Sequence, residues 1–284
     1  MMHSTRSIIV IALLAWASPL LSFDLSGLDP LKVTEILTKG VKSFADLPEE
    51  KEIRIGKDLS ASLLGATPLV DDPAVQGYVN RIGRWLALQT ERPDLPWTFA
   101  VIDTDTVNAF AAPGGYVFVT RGLFLMLRNE AELAGVIGHE ISHVIRRHHL
   151  VAIEKQLRAS LAADVAGLAV DYDSEVVDAL VGAGMEIYGK GLDREDEFEA
   201  DRMGVVVAAR SGYDPYGLPA MLMTLHSRGE SHQNLTFLLS THPPTDDRLG
   251  RLDQEMAGQM DRYSGAAGQT KRFQEIKNRL RSDA

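Results

Sequence analysis

The chain of 284 residues contains no cysteine. Disulfide bonds are therefore excluded, and so are thiolate ligands for a metal and a lipid-modified N-terminal cysteine. The chain also lacks an excess of positive charge, because 39 acidic residues outnumber 29 lysines and arginines. The resulting net charge of −10 argues against a general nucleic-acid binder.

Long apolar runs are scarce as well. Residues 7–14 form a short apolar run, which follows a short, weakly basic segment that contains His3 and Arg6. This pattern predicts a signal peptide over residues 1–22, with an uncleaved N-terminal anchor as the alternative. No later stretch reaches the ~18 apolar residues of a transmembrane helix. We therefore expect a soluble, exported protein, which in a Gram-negative cell lies in the periplasm.

The centre of the sequence carries the motif H-E-x-x-H, spelled HEISH at residues 139–143. Residues four apart share one face of a helix, so His139 and His143 are predicted to bind one metal ion. Two imidazoles at this spacing suit zinc, and we expect one Zn²⁺ per chain. Glu140 follows the first ligand and is placed to act as a general base.

The residues around this motif predict one long, buried helix from Asn129 to His149. Asn129 is a good N-cap, and Glu132 stands three residues later, as in a capping box. Apolar residues surround the motif, and Gly135 and Gly138 are expected to let another backbone approach closely. The alternative is an ordinary core helix with two hydrogen-bonded histidines.

His149 stands where some zinc peptidases have a third histidine ligand. That pattern needs a glycine to turn the chain, and here the position is Arg146. In a continuous helix His149 would lie about 9 Å along the axis from His143. The sequence therefore predicts that the third ligand comes from elsewhere.

A second helix is predicted to begin after Asp193, which is expected to cap it. Its first turn is acidic, and Glu197 and Asp201 lie four residues apart on one face. A catalytic zinc site takes three protein ligands and keeps one position open, so Glu197 can complete the two histidines. Asp201 is then expected to orient a histidine ligand through a hydrogen bond.

A small sheet is predicted directly before the motif helix. Residues 97–103, 107–112 and 116–120 read as strands, and the turn Pro-Gly-Gly between the last two predicts a hairpin. The fold class is therefore α+β, mainly helical, with this small sheet beside the H-E-x-x-H helix. We expect the strand over residues 107–112 to be a sheet edge that binds extended substrate, with an ordinary inner strand as the alternative. Its predicted contacts are Asn108, Ala109, Phe110 and Ala111.

Three landmarks together resemble one family. HEISH, then EFEAD at residues 197–201, then THPPTDDR at residues 241–248 are similar to the zinc metallopeptidases that include HtpX and the CAAX prenyl proteases. NAFAAPGGYVFVTRGL before the helix is also similar. The chain resembles the soluble periplasmic BepA-like branch, without the tetratricopeptide array of that branch. The resemblance implies a zincin-type gluzincin fold.

The resemblance implies roles for the same residues. The metal ligands of the family match His139, His143 and Glu197. Its catalytic glutamate matches Glu140, and the aspartate behind its ligands matches Asp201. His242 matches a histidine near the metal, and it is predicted to fill the fourth position as a latch. The alternative is a histidine on a surface loop. Arg248 is predicted to act behind the ligands or on the oxyanion of the transition state.

The expected function is a zinc endopeptidase that degrades misfolded or misassembled envelope proteins. This substrate class follows from the resemblance, as does possible contact with the outer-membrane assembly machinery. Nucleic acid is not an expected partner, and the sequence leaves the oligomeric state open. The alternative is a non-catalytic periplasmic holdase. Beyond the signal peptide, we expect a leader at residues 23–48, the peptidase domain at residues 49–256, and a polar tail at residues 257–284.

Overall fold

The computed structural model describes residues 46–160, 191–228, 242, 245–265 and 270–282. The helices are α1 (Glu49–Ala66), α2 (Pro73–Ala87), α3 (Arg121–Met126), α4 (Glu130–Ile145), α5 (His148–Ser160), α6 (Arg194–Arg210), α7 (Gly217–Arg228), α8 (Thr245–Met256) and α9 (Thr270–Ser282), with a 3₁₀ turn at Asp261–Tyr263. The strands are β1 (Thr98–Ile102), β2 (Ala109–Ala112) and β3 (Tyr116–Thr120). The described part is mainly helical with one small sheet, as the sequence predicts.

The motif helix α4 begins where its cap residue predicts. The Asn129 side chain accepts a hydrogen bond from the Glu132 backbone N–H at 3.0 Å. The capping box itself is not formed, because the Glu132 carboxylate accepts from the backbone N–H of Arg128 at 2.7 Å. Every residue of α4 is buried, as its apolar flanks predict.

The prediction of one helix to His149 is wrong. Helix α4 ends at Ile145, and a new helix begins at His148. Between them Arg147 adopts φ +58°, a left-handed conformation that residues with side chains seldom take. Its guanidinium lies 2.8 Å from the buried carboxylate of Glu52 on α1. A tertiary ion pair thus accompanies a break that local sequence does not signal.

The sheet lies against α4 and supplies one wall of the core. Its order is β1-β3-β2, with β1 parallel and β2 antiparallel to β3. The predicted hairpin is confirmed, and Gly114 and Gly115 form its turn with φ of 76° and 104°. Strand β2 begins at Ala109, two residues later than predicted. The Thr120 hydroxyl accepts the Asn108 N–H, which ends the regular ladder there.

Helix α4 passes between the sheet and the helices α6 and α7. A Cβ built on Gly138 would lie 2.9 Å from the Gly204 carbonyl oxygen, and one on Gly135 would lie 2.7 Å from Leu218 N. The predicted close approach of another backbone is therefore present at both glycines. This contact sets α6, which carries Glu197, directly against the motif helix.

The C-terminal residues are less peripheral than a polar tail would be. Helix α9 packs against α2 and α3, and its Phe273 and Leu280 are fully buried. Phe273 stacks on Phe124 with ring centroids 4.9 Å apart. Arg272 donates to the buried carboxylate of Glu130, at the first turn of α4. The tail thus contributes to the core.

Within the described ranges, no helix combines the length and apolar character needed to cross a membrane. The predicted signal peptide at residues 1–22, nearly all of the leader at residues 23–48 and residues 161–190 lie outside the described residues.

Candidate metal centre

The two motif histidines face each other from successive turns of α4. His139 is 4 % and His143 1 % exposed, and their Nε2 atoms are 3.0 Å apart. Two nitrogens on one tetrahedral zinc ion, each bonded at about 2.0–2.1 Å, would be about 3.3 Å apart. The helix therefore presents both Nε2 atoms at a spacing close to that of a shared metal.

Glu197 on α6 lies opposite this pair and is fully buried. Its Oε2 is 3.5 Å from His139 Nε2, and its Oε1 is 3.5 Å from His143 Nε2. Oε1 has no hydrogen-bond partner among the described residues. Burial raises the pKa of this carboxyl, but His242 and His139 outweigh burial and hold the pKa well below its usual value. The carboxylate is thus charged, buried and incompletely satisfied.

The predicted cap of α6 is not formed. Asp193 stands at the N-cap position, yet its side chain makes no capping hydrogen bond. It pairs with Lys155 of α5 instead. The acidic first turn therefore presents Glu197 inward without help from a side-chain cap.

His242 supplies a fourth donor. Its Nδ1 is 2.7 Å from Glu197 Oε2, and its ring centroid is 5.4 Å from that of His139. Four residues each offer one ligand atom, and these atoms all lie within 4.8 Å of one another: His139, His143, Glu197 and His242. Imidazole nitrogens and a carboxylate oxygen are the donors that zinc takes in proteins without thiolates. The residues present therefore fit a zinc ion.

Asp201 and Arg248 hold His139 from behind. His139 Nδ1 lies 2.9 Å from Asp201 Oδ1, as predicted for an orienting carboxylate. Arg248 donates to both oxygens of Asp201, from Nε at 2.7 Å and from Nη2 at 2.5 Å. Burial raises the pKa of Asp201, but the Arg248 charge and hydrogen bond lower it below the usual value. Arg248 Nη1 also lies 3.5 Å from Glu197 Oε2.

The pKa values of His139 and His143 are shifted in opposite directions. Burial lowers the pKa of His139, but hydrogen bonds to Asp201 and Glu197 raise it to about 9. Burial and the neighbouring His139 lower the pKa of His143 well below its usual value. The carboxylates that favour a proton on His139 favour a divalent cation in the same place, so metal and proton compete for this group.

Glu140 borders a cavity beside the donors. It is 2 % exposed, and burial raises its pKa above the usual value despite the opposing effect of His139. His139, His242 and Arg248 line the same cavity. The rest of the lining is apolar and comes from Ala109, Leu123, Val136, Leu218, Met221, Leu222 and Leu225. Apolar side chains and a few convergent polar groups are typical of a substrate site.

The predicted substrate strand meets this site at one residue. Strand β2 is at the end of the described sheet, and Ala109 lines the cavity. Asn108 is buried, and its Oδ1 has no hydrogen-bond partner among the described residues. The Phe110 ring packs on Phe118, in a separate small cluster, and Ala111 is buried.

The histidines after the break come back towards the metal centre. The argument that placed His149 far along a continuous helix is wrong, since its ring centroid is 5.6 Å from that of His143. His149 is nevertheless not one of the four clustered donors. Burial and the neighbouring His148 lower its pKa to about 3. No role at the metal centre was predicted for His148, although its Nδ1 is 2.9 Å from His143 Nδ1.

An H-E-x-x-H helix with a glutamate donor from a second helix and a small sheet alongside defines a zincin-type metallopeptidase. The chain belongs to peptidase family M48, whose family model matches residues 73–256. Metallopeptidases of this family use zinc. The predicted family and its cofactor are therefore confirmed, while the roles of individual residues stay predictions.

Known proteins support the same family. The chain is 32 % identical to the beta-barrel assembly-enhancing protease of Yersinia pestis, over 84 % of this chain and 50 % of that protein. It is 34 % identical to the protein of that name from Escherichia coli K12, over 74 % of this chain and 45 % of that protein. It is 29 % identical to mitochondrial metalloendopeptidase OMA1 of Schizosaccharomyces pombe, over 62 % of this chain and 52 % of that protein. The chain thus spans about half the length of these relatives.

Proposed function

We propose that the chain is a zinc-dependent endopeptidase in which Glu140 is the general base. The observation that carries this proposal is a buried glutamate that lines an apolar cavity together with His139 and His242, two of the four clustered metal donors. Zinc supplies Lewis-acid chemistry when bound, polarising a carbonyl and acidifying water. Glu140 takes a proton from the attacking water and delivers it to the leaving amine.

The environment of Glu140 suits a general base. Burial raises its pKa, so the carboxyl can hold the transferred proton before it passes to the amine. The apolar lining excludes bulk water from the cavity and strengthens the electrostatic effects within it. Asp201 fixes the orientation of His139, and Arg248 fixes Asp201. Arg248 also borders the cavity, so a contact with the transition-state oxyanion is part of the proposal.

Glu140→Gln tests the proposal. The variant should bind zinc like wild type, since Glu140 is not among the clustered donors. Peptidase activity on unfolded casein should fall by at least about 10²-fold, the usual contribution of a general base. Glu255→Gln, at an exposed position of α8, is the matched control and should keep full activity. A folded Glu140→Gln variant that has lost its zinc, or one with wild-type activity, would contradict the assigned role.

Strand β2 is proposed to recruit extended substrate. Thr120 N–H donates to the Asn108 carbonyl at 3.0 Å, so the next pair along the ladder, Ala109 and Val119, is a non-hydrogen-bonded pair. The Ala109 N–H therefore points away from β3, on a residue that lines the cavity. Main-chain pairing there would demand little of the substrate sequence. The buried Asn108 amide is proposed as a second substrate contact.

The proposed clients are misfolded or misassembled proteins of the cell envelope, met in the periplasm after export through the signal peptide at residues 1–22. Two relatives named beta-barrel assembly-enhancing protease support this proposal. Pairing through backbone also suits clients that share an unfolded chain and no motif. The holdase alternative gains no support, because the glutamate and all four donors are present.

The client proposal is tested with the inactive Glu140→Gln variant as a trap. The proteins that co-purify with the trap and accumulate in a deletion strain should be mainly outer-membrane and other envelope proteins. Wild type, which releases its products, is the control. A trap that enriches only cytoplasmic proteins would overturn the proposed location and client class and leave the peptidase activity untouched.

A further inference from the structure

The two candidate histidine ligands are held in different ways. Each histidine directs its Nε2 towards the other candidate ligands, and the two Nε2 atoms are 3.0 Å apart. The Nδ1 of His139 lies against a carboxylate, Asp201, at 2.9 Å. The Nδ1 of His143 lies instead against another imidazole, the Nδ1 of His148, at 2.9 Å. Metal-bound histidines generally donate their second N–H to a fixed acceptor, which sets the tautomer and ring orientation.

We propose that His148 is a positioning residue that accepts the Nδ1–H hydrogen bond of His143 and so fixes the ring that presents Nε2 to the metal. The inference rests on the zinc site of the proposed function and concerns a residue outside its donor set. Since a nitrogen that binds metal carries no proton, His143 must carry its proton on Nδ1. The facing Nδ1 of His148 must then be the acceptor.

The contacts of the other ring nitrogen of His148, Nε2, favour the same tautomer. A neutral imidazole that accepts at Nδ1 carries its proton on Nε2. His148 Nε2 faces two carboxylates, Glu199 Oε2 at 3.4 Å and Asp196 Oδ1 at 3.7 Å. Both carboxylates attract an N–H and repel a lone pair, so they favour the tautomer that His143 needs. The result is a line of contacts from the acidic first turns of α6 through His148 to the metal centre.

The break after α4 is what delivers His148 to this position. Arg147 takes the left-handed conformation, and its side chain pairs with Glu52 at 2.8 Å. Glu52 is fully buried and also accepts from Arg92 at 2.8 Å and from the Gly114 N–H at 3.2 Å. The carboxylate thus ties the break to the hairpin turn. A straight helix would carry His148 away from His143, and the contact would be lost.

Imidazole nitrogen chemical shifts test the tautomers in the intact, zinc-loaded wild type. Long-range ¹⁵N–¹H correlation spectra should show His143 and His139 protonated at Nδ1 and His148 protonated at Nε2. Assignments come from single histidine substitutions, with the exposed His226, which pairs with Asp246, as the reference for a ring outside the metal centre. A His148 found protonated at Nδ1, with His143 bound through Nε2, would overturn the proposal. The tautomers are read in the wild type, and the substitutions serve only to assign its signals.

A matched pair of variants tests the consequence for zinc. Asn has an oxygen where His148 has Nδ1, and Leu has the same branched shape without an acceptor. His148→Leu should weaken zinc binding by about 10–100-fold in chelator competition, the usual effect of losing such a partner. His148→Asn should recover most of that loss. The thermal stability of both zinc-free variants should be alike.

The outcomes separate this inference from the proposed function. A wild-type chain that binds no zinc would overturn both. Wild type that binds zinc and cleaves casein, with His148→Leu at wild-type affinity, would overturn the positioning role alone. Equal losses in the Leu and Asn variants, in step with equal losses of zinc-free stability, would show a packing role and overturn it too.

Discussion

Gly204 is the point where α6 lies closest to the motif helix, and it offers a sharp test of how the two helices bring the donors together. A Cβ at this position would be 2.7 Å from His139 N and 3.0 Å from His139 Cα. Ordinary contacts begin at 3.4 Å, so the helices would have to separate by about 0.7 Å at this point in Gly204→Ala. The obstructing atoms are backbone, which cannot rotate away.

The expected cost follows from this geometry. Overpacking costs about 1–3 kcal/mol, and an obstruction made only of backbone atoms places this variant near the upper value. Alanine gains about 1 kcal/mol of helix propensity over glycine, which leaves a net loss of about 2 kcal/mol. Zinc affinity should also fall by at least about tenfold. Metal–ligand distances vary by only about 0.2 Å, and Glu197 would move with the displaced helix.

Gly250→Ala is the matched control. Gly250 lies inside α8, and a Cβ there would meet nothing within 4 Å. The substitution should therefore stabilise the fold by about 0.5–1 kcal/mol and leave zinc affinity unchanged. Urea unfolding of the zinc-free proteins measures the stability difference, and chelator competition measures the affinity. Equal midpoints and equal affinities for the two variants would refute the claim that this backbone contact sets the metal centre.

Three further perturbations address separate parts of the molecule. Glu197→Ala should weaken zinc binding by at least about 100-fold, more than the loss of a residue behind the ligands; unchanged affinity would move the third ligand elsewhere, with His149 examined first. Ala109→Pro should raise KM for unfolded substrate about fivefold, as expected for one lost hydrogen bond, and normal KM at normal stability would remove the edge-pairing idea. A hydrogen bond from Arg279 holds the pKa of Asp72 below its usual 3.8. This carboxylate should therefore stabilise the fold above about pH 4 and lose that effect as the pH falls through its lowered pKa, so the gap in unfolding free energy between wild type and Asp72→Asn should close in acid. A gap that widens in acid would contradict the assignment.

The sequence predicts the metal centre because its signals are local. His139 and His143 are one helical turn apart, and so are Glu197 and Asp201, so each pair shares a face wherever the helix packs. The glycines of α4 predict that a second backbone comes close, although they do not say which one. The pairing of the two helices depends on Gly204, whose role emerges only when both elements are in place.

The parts that the sequence misses are set by tertiary contacts. Nothing near Arg147 indicates a left-handed residue, because its partner Glu52 comes from the first described helix. The error about His149 follows directly from that missed break. The C-terminal helix looks polar in sequence, yet Phe273 and Leu280 recur at helical spacing and are fully buried. A stricter count of that spacing would have indicated a packed helix.

A catalytic zinc needs three protein ligands and an open position. In the proposed site His139, His143 and Glu197 already supply three ligands, so His242 needs a role of its own. His242 lies 2.7 Å from Glu197 Oε2, is 12 % exposed, and borders the same cavity as Glu140. The latch hypothesis places its imidazole in the fourth position on the metal, which substrate and water need. We therefore expect low basal activity in wild type and a zinc shell of three nitrogens and one carboxylate in X-ray absorption spectra.

The latch predicts that His242→Ala changes kcat/KM by at least about tenfold, or 1.4 kcal/mol, without loss of fold. A rise would mean that the imidazole only inhibits, because its departure frees the fourth position. A fall would mean that the displaced imidazole also stabilises the transition state. His226→Ala, at an exposed histidine paired with Asp246, is the control and should leave kinetics unchanged. Only two histidines in the zinc shell, together with wild-type kinetics in His242→Ala, would rule the latch out.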